Sequence, residues 1–154
     1  MIKVLFVCWG NICRSPMAEF LMKAKVEAAG LSSEIYVESA GTSDEEIGNG
    51  VHSGTRRILD RLNIDCSQKR ARQIRPDDYR NFDYIFGMES MNTSELRRVF
   101  KGDPERKIFR MLDFTEFPGD VDDPWYTGKF DETYRMIDAG CDAILAELKK
   151  KLGK

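Results

Sequence analysis

"VLFVCWGNICRSP", residues 4–16, is the stretch on which the fold turns. An apolar run of strand length ends on a cysteine, a short polar turn follows, and Ser15-Pro16 opens a helical pattern. Residues 2–8 (IKVLFVC) hardly alternate, as expected of a strand in a parallel sheet covered on both faces. Ser15 stands where an N-cap would and Pro16 at a first helical position. Beyond them Met17, Phe20, Leu21, Ala24 and Ala28 recur at helical spacing, and Gly30 is placed to stop the helix.

Working outward, the alternation continues. "EIYVESA" (34–40) reads as a second strand, "GTSDEEIGNG" (41–50) as a polar loop, and Ile58, Leu59 and Leu62 mark a second helix. "FDYIFGM" (82–88) is a third strand, followed by a helix through Leu96 and Val99, and "KIFRML" (107–112) a fourth. Phe130, Tyr134, Ile137, Cys141, Ile144, Leu145, Leu148 and Leu152 form one long amphipathic stripe, with Cys141 as core. Strand and helix in turn predict an α/β fold with right-handed crossovers, whose ligands sit beyond the carboxyl ends of the strands. The turn at residues 8–15 falls there. No repeat or linker interrupts residues 1–154, which read as one domain.

Composition narrows the function. The 154 residues carry 42% hydrophobic and 32% charged side chains and a formal net charge of −2, giving no electrostatic case for nucleic acid or an anionic membrane. No apolar run is long enough to span a bilayer, and "MIKVLF" reads as a strand and not as a signal peptide. Four cysteines without such a signal suggest a reducing cytoplasm. The single histidine, His52, lies in a Gly-rich loop, which argues against a cysteine–histidine protease or a histidine-based metal site.

Five residues separate Cys8 from Arg14. A turn that short can aim its backbone N–H groups at one centre, with Gly10 and Asn11 supplying unusual backbone conformations. It would form an anion nest at the positive end of a helix, and Arg14 would add a planar fork for two phosphate oxygens. The same field favours a thiolate at Cys8, a nucleophile beneath a bound phosphoryl group. Cysteine at a strand end is by itself more often a small buried hydrophobe. The whole string, with its strand before and its helix after, gives the chemical reading its weight.

"VCWGNICRSP" resembles the active-site signature of the low-molecular-weight protein tyrosine phosphatases. The likeness runs on through "ESAGT" (38–42), "ARQI" (71–74), "FDYIFGM" (82–88) and "DDPWY" (122–126), in family order. It implies a three-layer α/β/α, flavodoxin-like fold around a four-stranded parallel sheet of order 2-1-3-4. It also implies hydrolysis of phosphate monoesters through a cysteinyl-phosphate, with no metal or other cofactor. The phosphate-binding loop would be Trp9, Gly10, Asn11, Ile12, Cys13, Arg14 and Ser15. By the family's Asp-Pro pair, Asp123 before Pro124 is the general acid, then the base that activates water. Asp122, with no proline after it, has the smaller claim, and Asp-Pro alone is an ordinary turn. Ser15 donates to the Cys8 sulfur, caps the helix, or both. Asn11 shapes the loop through a network that includes Ser39.

The chain also departs from the family. Lys69 replaces a frequent histidine, and Glu89 stands at an acidic position often paired with it. An ion pair between the two would support Asn11; otherwise they are a solvated lysine and a first-turn glutamate. Trp9, Trp125 and Tyr126 would wall a slot for a phenyl ring, or mark a partner surface. Glu45 and Glu46 border the pocket where relatives often carry an aromatic residue, and would select basic phosphopeptides or merely face solvent. Cys13 could trap an oxidised Cys8 as a disulfide, needing Cα atoms roughly 4.4–6.8 Å apart, or else be packing. Cys66 has no assigned role.

The expected substrate is a phosphotyrosine protein, such as a tyrosine kinase, with phosphate or another oxyanion in the site; no nucleic acid or membrane, and a monomer or weak dimer. Thioredoxin-linked arsenate reductases need further cysteines that residues 80–100 lack. Arginine phosphatases of the family carry threonine where Ile12 stands. A phosphate-binding module without activity would not need both Cys8 and Asp123.

Overall fold

The computed structural model describes all residues 1–154. The chain runs β1 (Ile2–Cys8), α1 (Arg14–Ala28), β2 (Ile35–Gly41), α2 (Ser53–Arg61), α3 (Asp78–Asn81), β3 (Tyr84–Gly87), α4 (Ser90–Val99), β4 (Ile108–Arg110), α5 (Pro124–Thr127) and α6 (Phe130–Lys151). The four strands form one parallel sheet of order β2-β1-β3-β4, as the resemblance implies. β1 is central, and Val4 to Cys8 are buried without a break. Its side chains divide by the period of two. Val4, Phe6 and Cys8 join a core with α1, α2 and α6, whereas Leu5 and Val7 face a smaller cluster with Phe82, Ile85, Leu96 and Ile108. Each large apolar side chain buried there contributes roughly 1.5–3 kcal/mol. Chain order reverses between β2 and β3 on either side of β1, so the crevice for a ligand opens at Cys8.

Three local expectations are corrected. α1 begins at Arg14, so Ser15 lies inside it and caps nothing; the cap position belongs to Cys13, which offers no side-chain bond. The turn winds directly into the helix, and its first residues serve both. Gly30 does terminate α1, at φ +73°, with its N–H donated to Glu27 O and that of Leu31 to Val26 O. β3 and β4 are shorter than their apolar runs. Around β4, Asp103 takes the Lys107 and Ile108 amides and Asp113 that of Arg110, so carboxylates replace strand partners at both ends. Leu62 falls beyond α2 and is exposed. No helix is long and apolar enough to cross a membrane.

Candidate active site

The turn after β1 is shaped from outside by its carbonyls. Cys8 O accepts from Thr42 N, Trp9 O from Ser43 N, Ile12 O from His52 N, and Cys13 O from both Met17 N and Thr55 Oγ1. With those oxygens turned outward, the amides turn in. The N–H groups of Trp9, Gly10, Ile12, Cys13 and Arg14 donate to no protein group, and Asn11 N points at Cys8 Sγ, 3.3 Å away. The result is a cup of donors on the first turn of α1. Asn11 takes the left-handed conformation (φ 59°); Gly10 does not, correcting the expectation for that residue. Close approach demands a glycine instead at Gly41, where a Cβ would lie 2.8 Å from Trp9 O.

Arg14 is 1% exposed and points into the cup. Its Nη1 donates to Val121 O at 2.8 Å, while Nη2 lies 3.3 Å from both Glu89 Oε1 and Asp123 Oδ2. Asp123 is the N-cap of α5: its Oδ1 accepts from Trp125 N at 3.0 Å, with Pro124 at the first helical position. The capping geometry thus aims the second carboxylate oxygen at the guanidinium. Asp122 is exposed, and only its backbone oxygen is engaged, by Thr133. A cleft of about 160 Å³ opens over the thiol, lined by Cys8, Trp9, Gly10, Ile12, Cys13, Arg14, Glu45, Glu46, Asp123, Trp125 and Tyr126. The three aromatic residues expected as walls are all there, and Glu45 Oε2 accepts from the Trp9 indole N–H at 3.4 Å.

Beneath the cup runs a buried chain of hydrogen bonds whose direction can be assigned. Glu19 can only accept, so the Ser39 hydroxyl donates to its Oε1 at 2.6 Å. Ser39 Oγ then accepts from Asn11 Nδ2 (2.9 Å), which gives its second hydrogen to Ser15 Oγ (2.8 Å). Asn11 Oδ1 meanwhile accepts from Arg72 N, brought in by the 71–74 segment along β2. The Ser15 hydrogen is left to Cys8 Sγ at 3.0 Å, with Ala40 O a longer 3.4 Å away. The network therefore presents donors to the sulfur.

Lys69 does not pair with Glu89. Its Nζ reaches Glu19 Oε1 at 3.0 Å and Ser39 O at 2.9 Å, while Glu89 caps α4 and holds Arg14. The two charges serve different partners, Lys69 the buried network under Asn11 and Glu89 the Arg14 guanidinium. Glu19 escaped the sequence reading. It follows Ser15 by four residues on α1 and so shares its inward face, a signal present in the sequence. Replacing it with glutamine strands Lys69 in a half-buried place and should cost on the order of 3 kcal/mol, measurable by urea unfolding. Turnover should fall with it, as Ser39 loses its charged acceptor.

Burial, then the negative charges of Cys8 and Asp123, push the Cys13 thiol up to about 12. Burial likewise raises Cys66 and Cys141, and Cys141 sits in the core on α6 as its stripe predicts. All four cysteines are free. No group of three or more His, Cys, Asp or Glu residues is arranged to hold a metal ion.

A thiol under an amide cup, at the switch point of a parallel sheet and beside an inward arginine, is the arrangement of a cysteine-dependent phosphatase. The sequence model for low molecular weight phosphotyrosine protein phosphatases matches residues 3–154. The chain is 42% identical over 153 residues to the low molecular weight protein-tyrosine-phosphatase YfkJ of Bacillus subtilis, covering 98% of each. The crystal structure of that protein superposes with a TM-score of 0.95, covering 98% of this chain and 96% of the other. SP-PTP, the low molecular weight protein tyrosine phosphatase of Streptococcus pyogenes, gives 0.87 at 44% identity, covering 99% and 98%. DARP, a Drosophila arginine phosphatase, gives 0.87 at 29%, covering 96% and 98%. The chain belongs to the low molecular weight protein tyrosine phosphatase family, metal-independent hydrolases.

Proposed function

We propose that this protein, read as one catalytic domain over residues 1–154, hydrolyses phosphotyrosine in proteins, and small aryl phosphates, through a phosphocysteine at Cys8. The observation that carries this is the inward Arg14, shared by Asp123 and Glu89 at the edge of the amide cup. Amides and guanidinium hold three phosphoryl oxygens, and the Cys8 sulfur attacks phosphorus in line. The S–P bond forms as the P–O(aryl) bond breaks, and the Asp123 carboxyl gives its proton to the departing phenolate. Water then attacks the phosphocysteine, its proton passing to the Asp123 carboxylate. Phosphate leaves, and the thiolate returns to the donors of Ser15 and Asn11. In the test, a phosphotyrosine peptide is turned over in EDTA and quenched in acid, and the Cys8 peptide is weighed by mass spectrometry. Mass for one phosphoryl group on Cys8 is the expected result; turnover with the label elsewhere removes the mechanism.

Substrate choice is read from the walls. Ile12 and three aromatic rings suit a phenyl ring, while Glu45 and Glu46 leave the lining with Arg14 as its one cation. The fold does not discriminate between tyrosine and arginine phosphatases, given the likeness to DARP. The acidic pair Glu45 and Glu46 at the cleft should favour basic residues flanking phosphotyrosine. Glu45→Gln with Glu46→Gln should cut the preference for an arginine-flanked over a glutamate-flanked phosphotyrosine peptide by roughly 3–10-fold at low salt, at up to ~1 kcal/mol per exposed charge. A ratio unchanged by the substitutions, or by added salt, would show that these charges take no part. The protein substrate, a tyrosine kinase in one reading, would be met in the cytoplasm by a monomer or weak dimer.

Cys13 is read as the trap for an oxidised nucleophile. Peroxide converts the Cys8 thiolate to a sulfenic acid, with hydroxide leaving; the Cys13 thiol then displaces water to close a disulfide. Oxidation also removes one of the negative charges that hold Cys13 protonated. Dithiothreitol should restore activity after peroxide in the native chain and not in Cys13→Ser. Equal recovery in both would leave Cys13 as packing alone.

A further inference from the structure

His52 plays no part in the chemistry above, yet it touches both the phosphate loop and the segment that carries Asp123. Its backbone N–H holds Ile12 O of the phosphate loop at 2.8 Å, and its Nδ1 caps α2 by accepting from Gly54 N at 3.0 Å. Thr55, one turn on, holds Cys13 O. The start of α2 is thus fastened to the loop that carries the nucleophile. The imidazole ring lies on the other side, between the two ends of the segment that bears the acid. It stacks on Phe130, the first residue of α6, at 5.1 Å and 12°, and meets Trp125 edge-on at 5.5 Å and 74°. Gly54 makes this possible, since a Cβ there would lie 2.5 Å from the Phe130 ring. Trp125 is also the residue whose N–H the Asp123 carboxylate caps.

We propose that His52 is a positioning residue for the proton donor: its ring sets the height of the 123–130 segment above the phosphate loop, and so the place of Asp123 over the leaving oxygen. The inference rests on the general-acid role proposed for Asp123. It requires only the ring's flat faces and the backbone bond that ties residue 52 to the phosphate loop. A donor displaced by about 1 Å can lose up to ~10²-fold in rate, so the ring's absence should be legible in the first chemical step.

Two substitutions separate the ring from the cap. His52→Asn keeps an acceptor for Gly54 N and removes the ring; His52→Phe keeps the ring and removes the acceptor. Each is compared with native enzyme for kcat/KM on phenyl phosphate, whose leaving group needs a proton, and on p-nitrophenyl phosphate, whose leaving group does not. Each is also combined with Asp123→Asn, and thermal midpoints are recorded throughout. His52→Asn should lower kcat/KM on phenyl phosphate roughly tenfold or more, change p-nitrophenyl phosphate far less, and have no further effect once Asp123 is replaced. His52→Phe should recover most of the phenyl phosphate activity whatever its midpoint. Equal losses on both substrates, a full additional loss in the Asp123→Asn background, or failure of phenylalanine to rescue overturns the proposal. Native activity in Asp123→Asn alone would instead remove the acid assignment on which it stands.

Discussion

Cys8→Ser should fold, bind a phosphotyrosine peptide and turn it over on the order of 10⁴-fold more slowly or worse. The substitution is small at a buried position, and Ser15 Oγ and Asn11 N can still donate to the new oxygen. What it cannot restore is the anion. A thiol is far more acidic than a hydroxyl, so serine must lose a proton that a thiol gives up readily, and the side chain at position 8 touches only the Ser15 hydroxyl and the Asn11 N–H, neither of them a base. Calorimetry would show binding and a steady-state assay the loss. Turnover within a few-fold of the native enzyme would mean that sulfur is not the nucleophile.

Replacing Asp123 has the next largest effect and needs two variants to interpret. Asp123→Ala removes the carboxyl and also the cap on Trp125 N, a loss of about 1 kcal/mol in local stability. Asp123→Asn keeps an oxygen for that N–H and removes only the transferable proton. Both should lower kcat/KM for phenyl phosphate by roughly 10²–10⁴-fold, the usual worth of a placed acid, and spare p-nitrophenyl phosphate. If asparagine behaved as native while alanine did not, the carboxylate would be a cap and nothing more. The shared Arg14 Nη2 adds a detail, since removal of Asp123 leaves Glu89 as the guanidinium's one carboxylate partner.

The parts of this site that lie within one turn of chain are legible in the sequence alone. Cys8 to Arg14 form a continuous motif whose strand and helix are both strongly patterned, and Asp123-Pro124 carries its own N-terminal helix signal. Asp-Pro alone is an ordinary turn, and the structure extends it into the one helical turn of α5. Ser15 shows where local rules fail. As Ser-Pro it should cap a helix, but the sulfur seven residues before it and Asn11 claim its hydroxyl, and the helix starts earlier. The partner of Lys69 was not legible at all. The family resemblance points to Glu89, and only the docking of α1 against β2 brings in Glu19, fifty residues away. Glu45 and Glu46 fall between these cases: their loop is legible, while the Trp9 indole that holds Glu45 lies thirty-six residues earlier in the chain.

Four carbonyls of the first turn are gripped by Thr42, Ser43, His52 and Thr55, parts of the chain made about thirty to forty residues later. A nascent polypeptide that stops after α1 holds the cysteine and the arginine but has no concavity, and its sulfur is an ordinary exposed thiol. Only when the second strand and the residues after it dock does that sulfur become a reagent. Reactivity is thereby withheld until synthesis is well advanced, and an unfinished copy is spared the chemistry that the finished one performs.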